Sequence, residues 1–206
     1  MKKCVVLTSS GFDSAVAAYL MSKNCEVVLL HFDAWPFVSK QSLGRVKKLR
    51  RVLEKFTGKN LVLYCVSNAL VQKKLYDHLG ALRCVVCKRS MYKLASLVAK
   101  KLGADFLVTG DNVGQVASQT LSNLKVLDDA SDLLVLRPLI AYDKQEIISL
   151  SREIGTFSVS SLPEVACKIV PSSPATNSVL EDVRRTEKKL GLNSVFEDCL
   201  LTLKRV

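Results

Sequence analysis

The chain has 206 residues, 49% of them hydrophobic and 24% charged, with 9 Gly and 5 Pro, which is enough for one substantial core and unlike a disordered tail, a collagen-like repeat or a low-complexity scaffold. Thirty Lys and Arg against 19 Asp and Glu leave a formal charge of +11, a balance that favours a polyanionic partner such as nucleic acid. No run of about 18 apolar residues occurs, which argues against a helical membrane span, and Asp13 interrupts the stretch after Met1-Lys2-Lys3 before a signal peptide can form, so a cytoplasmic protein is expected.

Residues 4–7 read as a short buried strand that ends in the small-residue turn Thr8-Ser9-Ser10-Gly11. An apolar helix follows through 15–21, which Asp13 and Ser14 can cap. Residues 26–32 form a second strand. Residues 43–56 form a helix with Val46, Leu49, Leu53 and Phe56 at helical spacing, while Lys47, Lys48, Arg51 and Lys55 project away. A third strand at 61–66 and a helix near 69–78 precede a long helix at 84–102, which Gly103 stops. Strands at 106–109 and 133–136, a helix at 143–154, an extended excursion at 161–177 with Pro163, Pro171 and Pro174, and a final helix at 179–190 complete the chain. Short apolar strands alternating with helices predict an α/β fold: a Rossmann-like parallel sheet with helices on both faces and ligands at the carboxyl ends of its strands. A single domain over 1–206 is expected, with 161–206 as a C-terminal extension packed on it.

The positive charge is concentrated. Eight bases oppose Glu54 alone between 40 and 60, and six bases stand without an acid between 83 and 101. Lys47, Lys48, Arg51, Arg83, Arg89 and Lys93 are the candidates for an RNA-facing surface, against the plainer reading of solvated helix faces.

Ser9-Ser10-Gly11-Phe12-Asp13-Ser14 is a strand-to-helix turn in which small residues let backbone amides approach an anion; the same residues also suit an ordinary helix cap. Neither Gly-x-x-x-x-Gly-Lys-Ser/Thr nor Gly-x-Gly-x-x-Gly occurs, which argues against a standard P-loop NTPase or a dinucleotide-binding unit. Cys84-Val85-Val86-Cys87 opens the basic helix and Cys167 stands apart. Such thiols bind zinc, run dithiol redox chemistry or hold iron and sulfur, and a helix N-terminus lowers a thiol pKa. Cys4, Cys25 and Cys65 read as small core residues, Cys199 has no partner spacing, and His78 reads as a surface residue.

The loop at 9–14 resembles the Ser-Gly-Gly-x-Asp-Ser loop of the PP-loop ATP pyrophosphatases, the adenine nucleotide alpha-hydrolase-like fold. With Thr109-Gly110-Asp111-Asn112-Val113-Gly114-Gln115-Val116-Ala117-Ser118-Gln119-Thr120-Leu121 and Arg137-Pro138-Leu139-Ile140-Ala141-Tyr142-Asp143-Lys144 in the same order, the chain resembles the catalytic domain of the tRNA 4-thiouridine synthetases, or tRNA sulfurtransferases. The resemblance implies that ATP adenylates O4 of a tRNA uridine, pyrophosphate leaves, and sulfur displaces AMP to give 4-thiouridine. It places nucleotide contacts on Leu7, Thr8, His31, Phe32, Lys88, Gly110 and Gln119, with Ser9, Ser10, Gly11 and Ser14 in the loop. It gives Asp13 the task of orienting a magnesium-bound triphosphate, Lys144 that of stabilising charge on phosphate, and Cys167 the handling of sulfur. With Cys84 and Cys87, Cys167 matches a branch in which three thiolates hold three irons of a four-iron cluster and the fourth iron binds sulfide; a persulfide relay or a structural zinc remains open.

Three departures from the family pattern shape the expectations. Ser10 stands where the loop has its first Gly, and a left-handed backbone there would be disfavoured. The loop begins at residue 9, so no RNA-binding region is expected before it, and tRNA would be held by the basic helices, by a second copy in a homodimer or by a separate RNA-binding protein. No rhodanese-like extension is expected, which weakens a role in thiamine thiazole synthesis and favours sulfide or a cluster as the sulfur source, with a persulfide carrier as the other donor. The alternatives are a non-catalytic nucleotide- or RNA-binding subunit, or a PP-loop enzyme acting on another substrate with structural zinc.

Overall fold

Strands rich in Val and Leu, buried on both faces, build the centre of the molecule. In the computed structural model, which describes residues 1–77, 80–163 and 167–206, β1 (Lys3–Leu7), β2 (Glu26–Asp33), β3 (Val62–Ser67), β4 (Phe106–Val108) and β5 (Val135–Leu136) pair in parallel. β6 (Lys204–Arg205) joins β3 antiparallel, and the order across the sheet is β5-β4-β1-β2-β3-β6. Val5 pairs with Val28 and Val28 with Val62.

The helices are α1 (Phe12–Ser22), α2 (Gln41–Thr57), α3 (Ala69–Tyr76), α4 (Arg83–Leu102), α5 (Leu121–Asp128), α6 (Lys144–Glu153), α7 (Phe157–Ser160), α8 (Leu180–Lys189) and α9 (Phe196–Leu201). Alternate strand residues point to opposite faces, so two cores form. Val5, Leu30 and Val66 pack with α3, α4, α5, α8 and α9. Cys4, Val6, Leu29, Leu63 and Val108 pack with α1, α2 and α6. The parallel Rossmann-like sheet covered on both faces agrees with the sequence expectation.

The chain winds from β1 through β2 to β3 on one side and then crosses to β4 on the other side of β1. The crevice beyond the carboxyl ends of β1 and β4 is therefore the switch point where doubly wound sheets bind ligands. Thr8–Asp13 and Thr109–Asp111 meet there.

Several expectations are corrected. The N-cap of α1 is Gly11 and no side chain caps the helix; Ser14 turns back to the loop instead. Phe56 is exposed and meets Tyr19 edge-on at 5.5 Å rather than entering the core. The helix ending near 190 is not the last element: a 3-10 turn at Leu192–Val195, α9 and β6 follow, and α5 lies between the fourth and fifth strands. These pieces are too short to show a period. Arg83 and Arg89 do not face RNA, for both are buried. Arg83 donates to the carbonyls of Ile169 at 2.7 Å and Leu75 at 2.5 Å, and Arg89 pairs with Glu187 at 2.9 Å and Asp129 at 3.0 Å. Lys93 is also engaged, with Glu187 at 2.8 Å. His78 lies outside the described residues. Among the described residues no helix is long and apolar enough to cross a membrane.

Candidate nucleotide and sulfur site

A cleft of about 460 Å³ opens at the switch point. Leu7, Thr8, Ser9, Ser10, Asp13 and Ser14 enter it from the end of β1 and the start of α1, and His31 and Phe32 from the end of β2. Lys88, Cys84 and Cys87 come from α4, Gly110 and Gln119 from the segment after β4, and Cys167 from the stretch before α8. Gly11 and Lys144 lie outside its lining, Gly11 as the cap of α1 and Lys144 beside Asp13, whose Oδ1 it reaches at 3.2 Å. The residues singled out in the sequence thus converge on one place.

The turn after β1 is held by its own serines. Ser9 N donates to Ser14 Oγ at 3.0 Å, Ser14 Oγ to Ser9 O at 3.1 Å, and Gly11 N to Ser9 Oγ at 3.2 Å. With Ser14 so occupied, the first-turn amides of α1 have no side-chain cap, and a helix N-terminus with free donors receives anions. Among the described residues only glycines have positive φ; Ser10 therefore adopts no left-handed backbone, and the strain foreseen for it does not arise. Gly110 is required for a reason the sequence did not reveal. A Cβ there would lie 2.6 Å from the carbonyl carbon of Asp13 and 2.7 Å from the amide nitrogen of Ser14. The segment after β4 therefore presses directly on the turn after β1.

Lys144 starts α6, whose N-cap Asp143 forms a capping box with Glu146 at 2.8 and 2.7 Å. The cap sets the direction of Lys144, whose ammonium also lies 5.5 Å over the Phe12 ring.

At the cleft floor is a residue to which the sequence reading gave no role. Asp111, 3% exposed, accepts from Lys88 Nζ, Tyr92 Oη at 2.5 Å, Thr109 Oγ1 at 2.9 Å and Gln119 Nε2 at 3.2 Å, with Arg137 Nε 3.7 Å away. Burial alone would raise its pKa, but the Lys88 charge and the hydrogen bonds outweigh it and hold the carboxyl below its ordinary value. The same surroundings push the Tyr92 phenol up, burial first and Asp111 next. A signal for this hub existed: Cys84, Cys87, Lys88, Met91 and Tyr92 recur at helical spacing and form one stripe of α4 facing the cleft.

On the opposite wall His31 is buried, which lowers its pKa. Its Nδ1 donates to Thr8 O at 3.0 Å, leaving Nε2 to accept from Ser42 Oγ at 3.4 Å, so the ring is neutral and fixed in one tautomer.

The thiols depart from expectation. Although Cys84 and Cys87 stand in the first turns of α4, burial raises both: Cys84 is pushed up by burial and then by Cys167. Cys87 is pushed up to about 12 by burial, with a hydrogen bond from Gln72 opposing and Cys167 and Cys84 adding. Gln72 Nε2 donates to Cys87 Sγ at 2.9 Å. Sulfur donors suit iron–sulfur or zinc in kind. Among the described residues no three His, Cys, Asp or Glu side chains are grouped so as to hold a metal ion, while Cys84, Cys87 and Cys167, foreseen as three ligands of a cluster with one open iron, line the same cleft. Cys4, Cys25 and Cys65 are buried core residues as expected, and Cys199 joins them.

The family described as Thiamine biosynthesis protein (ThiI) matches residues 1–192. The chain is 38% identical over 200 residues to the probable tRNA sulfurtransferase of Finegoldia magna, covering 95% of this chain and 51% of that protein. It is 42% identical over 192 residues to the probable tRNA sulfurtransferase of Thermus thermophilus, covering 91% and 47% respectively. It thus spans about half the length of the curated relatives it matches. The crystal structure of a 4-thiouridine synthetase–RNA complex with bound ATP superimposes with a TM-score of 0.93 at 31% identity, over 100% of this chain and 55% of that one. A predicted subunit of tRNA methyltransferase from Methanocaldococcus jannaschii, at 16% identity and a TM-score of 0.52, shares the fold alone.

Proposed function

The chain belongs to the ThiI family, and on that premise we propose that it performs the ATP-dependent chemistry of a tRNA sulfurtransferase, converting a tRNA uridine to 4-thiouridine in the cytoplasm. The observation that carries the reading is the meeting of three sequence-distant motifs at one switch-point crevice, where Asp13 is reached by Lys144 from beside the cleft and pressed by Gly110 from within it.

In this reading ATP lies along the ends of β1 and β2, and its β- and γ-phosphates meet the uncapped amides of α1. Magnesium would be held by Asp13 and the phosphates, as suits an ion content with one carboxylate plus phosphate oxygens, and would offset their charge. The uridine O4 attacks the α-phosphorus and pyrophosphate leaves with the bonding electron pair. Lys144, released from Asp13, stabilises the negative charge that grows on phosphate. A sulfur nucleophile then adds at C4 and AMP departs. Cys167, Cys84 and Cys87 stand at the same cleft: a thiolate there can take the outer sulfur of a carrier persulfide, the carrier's own thiolate leaving, whereas sulfide needs no such transfer and would itself be the nucleophile at C4; no step is routed through a cluster or zinc. Exposed Lys48 and Arg51 on α2, with half-buried Lys47, provide the phosphate-binding face for tRNA.

The test is pyrophosphate release from ATP in the presence of tRNA, followed by mass analysis of the nucleosides after addition of sulfide. Release with 4-thiouridine supports the proposal. ATP binding without release points to a nucleotide-binding module, and release without thiouridine to another substrate. Iron content after anaerobic purification decides the cluster: colourless, iron-free protein that still thiolates tRNA removes it.

A further inference from the structure

Trp35 is the only tryptophan of the chain; it stands in the loop between β2 and α2 and is 51% exposed. The loop itself is tied down. The amides of Phe37 and Val38 donate to Ala34 O at 2.8 and 3.1 Å, Phe37 O accepts from Lys168 N at 3.0 Å, and the Phe37 ring meets Tyr76 at 6.0 Å. An isolated exposed ring needs no explanation, but its neighbours give this one a direction. Ala34 and Val38, on either side of it in the chain, line the cleft, and Lys40 Nζ lies 4.5 Å over the indole. Lys40 also opens a basic stripe. At helical spacing it falls with Lys47, Lys48, Arg51 and Lys55 within about 100° of the circumference of α2, opposite the buried Val46, Leu49 and Leu53. The helix's one acid, Glu54, is engaged by Arg50 and by the Leu61 amide. Ser42, in the first turn, lines the cleft, so the stripe runs outward from the cleft mouth.

We propose that Trp35 stacks on an unpaired base of the RNA strand that enters the cleft, while Lys40 and the α2 stripe hold the flanking phosphates. The inference rests on the reading of RNA as the substrate. A base that reacts inside a cleft must leave its stack, and the base beside it then loses a partner. An indole at the cleft mouth replaces that partner. Its π-face accepts any base, and the ordering of its loop is already complete in the free protein, which lowers the entropic cost of binding. Lys40, drawn to the ring by its π-electrons, stands where the phosphate of the stacked nucleotide would pass. A protein partner would also cover an exposed indole, but five bases in one stripe, with the helix's acid engaged elsewhere, suit a phosphate chain.

With a single tryptophan, indole emission reports on residue 35 alone. Emission of the whole chain is titrated with a single-stranded oligouridylate, with an abasic strand of the same length and with unmodified tRNA. Oligouridylate and tRNA are expected to quench it, and the abasic strand to quench far less. Anisotropy of labelled oligouridylate then compares variants, with thermal melting as the check on folding. Trp35→Ala should weaken binding by about tenfold, within the range of one base–aromatic stack, and Trp35→Phe should recover most of the loss. Neither should change the slope of log K against log salt, because stacking releases no counterion, whereas Lys48→Ala should lower it by about one. Emission indifferent to RNA, equal quenching by the two strands, or a Trp35→Ala slope that falls as that of Lys48→Ala does overturns the inference. Self-association that RNA does not relieve and Trp35→Ala abolishes overturns it in favour of a protein interface. The reading of the cleft fails separately. Thiolation of tRNA by a chain whose indole ignores RNA removes the stacking role alone, while base-dependent quenching without pyrophosphate release supports the stacking role and overturns the reaction.

Discussion

At Gly110 the nearest obstacle to a side chain is backbone, which no rotamer change can move. Gly110→Ala is expected to displace the turn at Asp13 and Ser14 and to lower tRNA-dependent pyrophosphate release by about tenfold or more, since an error of about 1 Å in positioning costs on that scale; unchanged kinetics would show that the two segments separate freely. His31 makes a prediction in pH. Burial lowers its pKa below 6.5, so the unfolded chain takes up the proton first. Its contribution is fully present above that value, is lost as pH falls from there through the depressed folded value, and levels off below it. Urea midpoints at pH 7.5 and 5.5 should fall further for wild type than for His31→Asn; parallel losses would mean that other groups carry the effect. Asp111, also depressed, follows the same sign but loses its contribution only in more acidic solution. Asp13, Lys144 and the thiols were legible in the sequence because their residue types advertise chemistry. Asp111 was not, because a carboxylate declares its role only through the groups that surround it.

Among the elements, α4 organises the molecule. One face carries the thiols, Lys88 and Tyr92 to the cleft, and the other carries Arg89 to Glu187 on α8 and to Asp129 just beyond α5. With Arg89 1% and Glu187 6% exposed, this is a buried pair, and removing one partner leaves the other charge stranded. Arg89→Met is expected to destabilise the protein by about 3 kcal/mol, toward the lower end of the usual range for such losses, because Lys93 still reaches Glu187. Chemical denaturation measures it, and Arg89→Met with Glu187→Leu should restore most of the loss. Net charge could not distinguish this arginine from those on α2: both stand in basic helices, and only the packing of α8 shows that one of them is internal. The strands and long helices were read to within a few residues, whereas α5, α9 and β6 were missed. A two-residue strand such as Lys204–Arg205 carries no alternation and exists because β3 has a free edge.

For the whole molecule, α2 keeps Lys47, Lys48, Arg51 and Lys55 outside the ion pairs found among the described residues, four bases within nine positions of one helix. If this face binds tRNA, replacing Lys48 and Arg51 with Ala should weaken binding and reduce the slope of log K against log salt by about one per residue lost from phosphate. An unchanged slope would place the RNA elsewhere. The sequence by itself determined the alternation of strands and helices, the small-residue turn after the first strand and the set of groups with reactive chemistry, because each is a local property of side-chain type and spacing. Tertiary structure alone decided which of those groups meet. The crossing from β3 to β4 sets Gly110 against Asp13, buries Asp111 among its donors, withdraws Arg83 and Arg89 from solvent and raises the thiols that a helix terminus was expected to acidify. Burial and contact between distant segments outweigh local preference at each of these points, and neither can be summed along a chain.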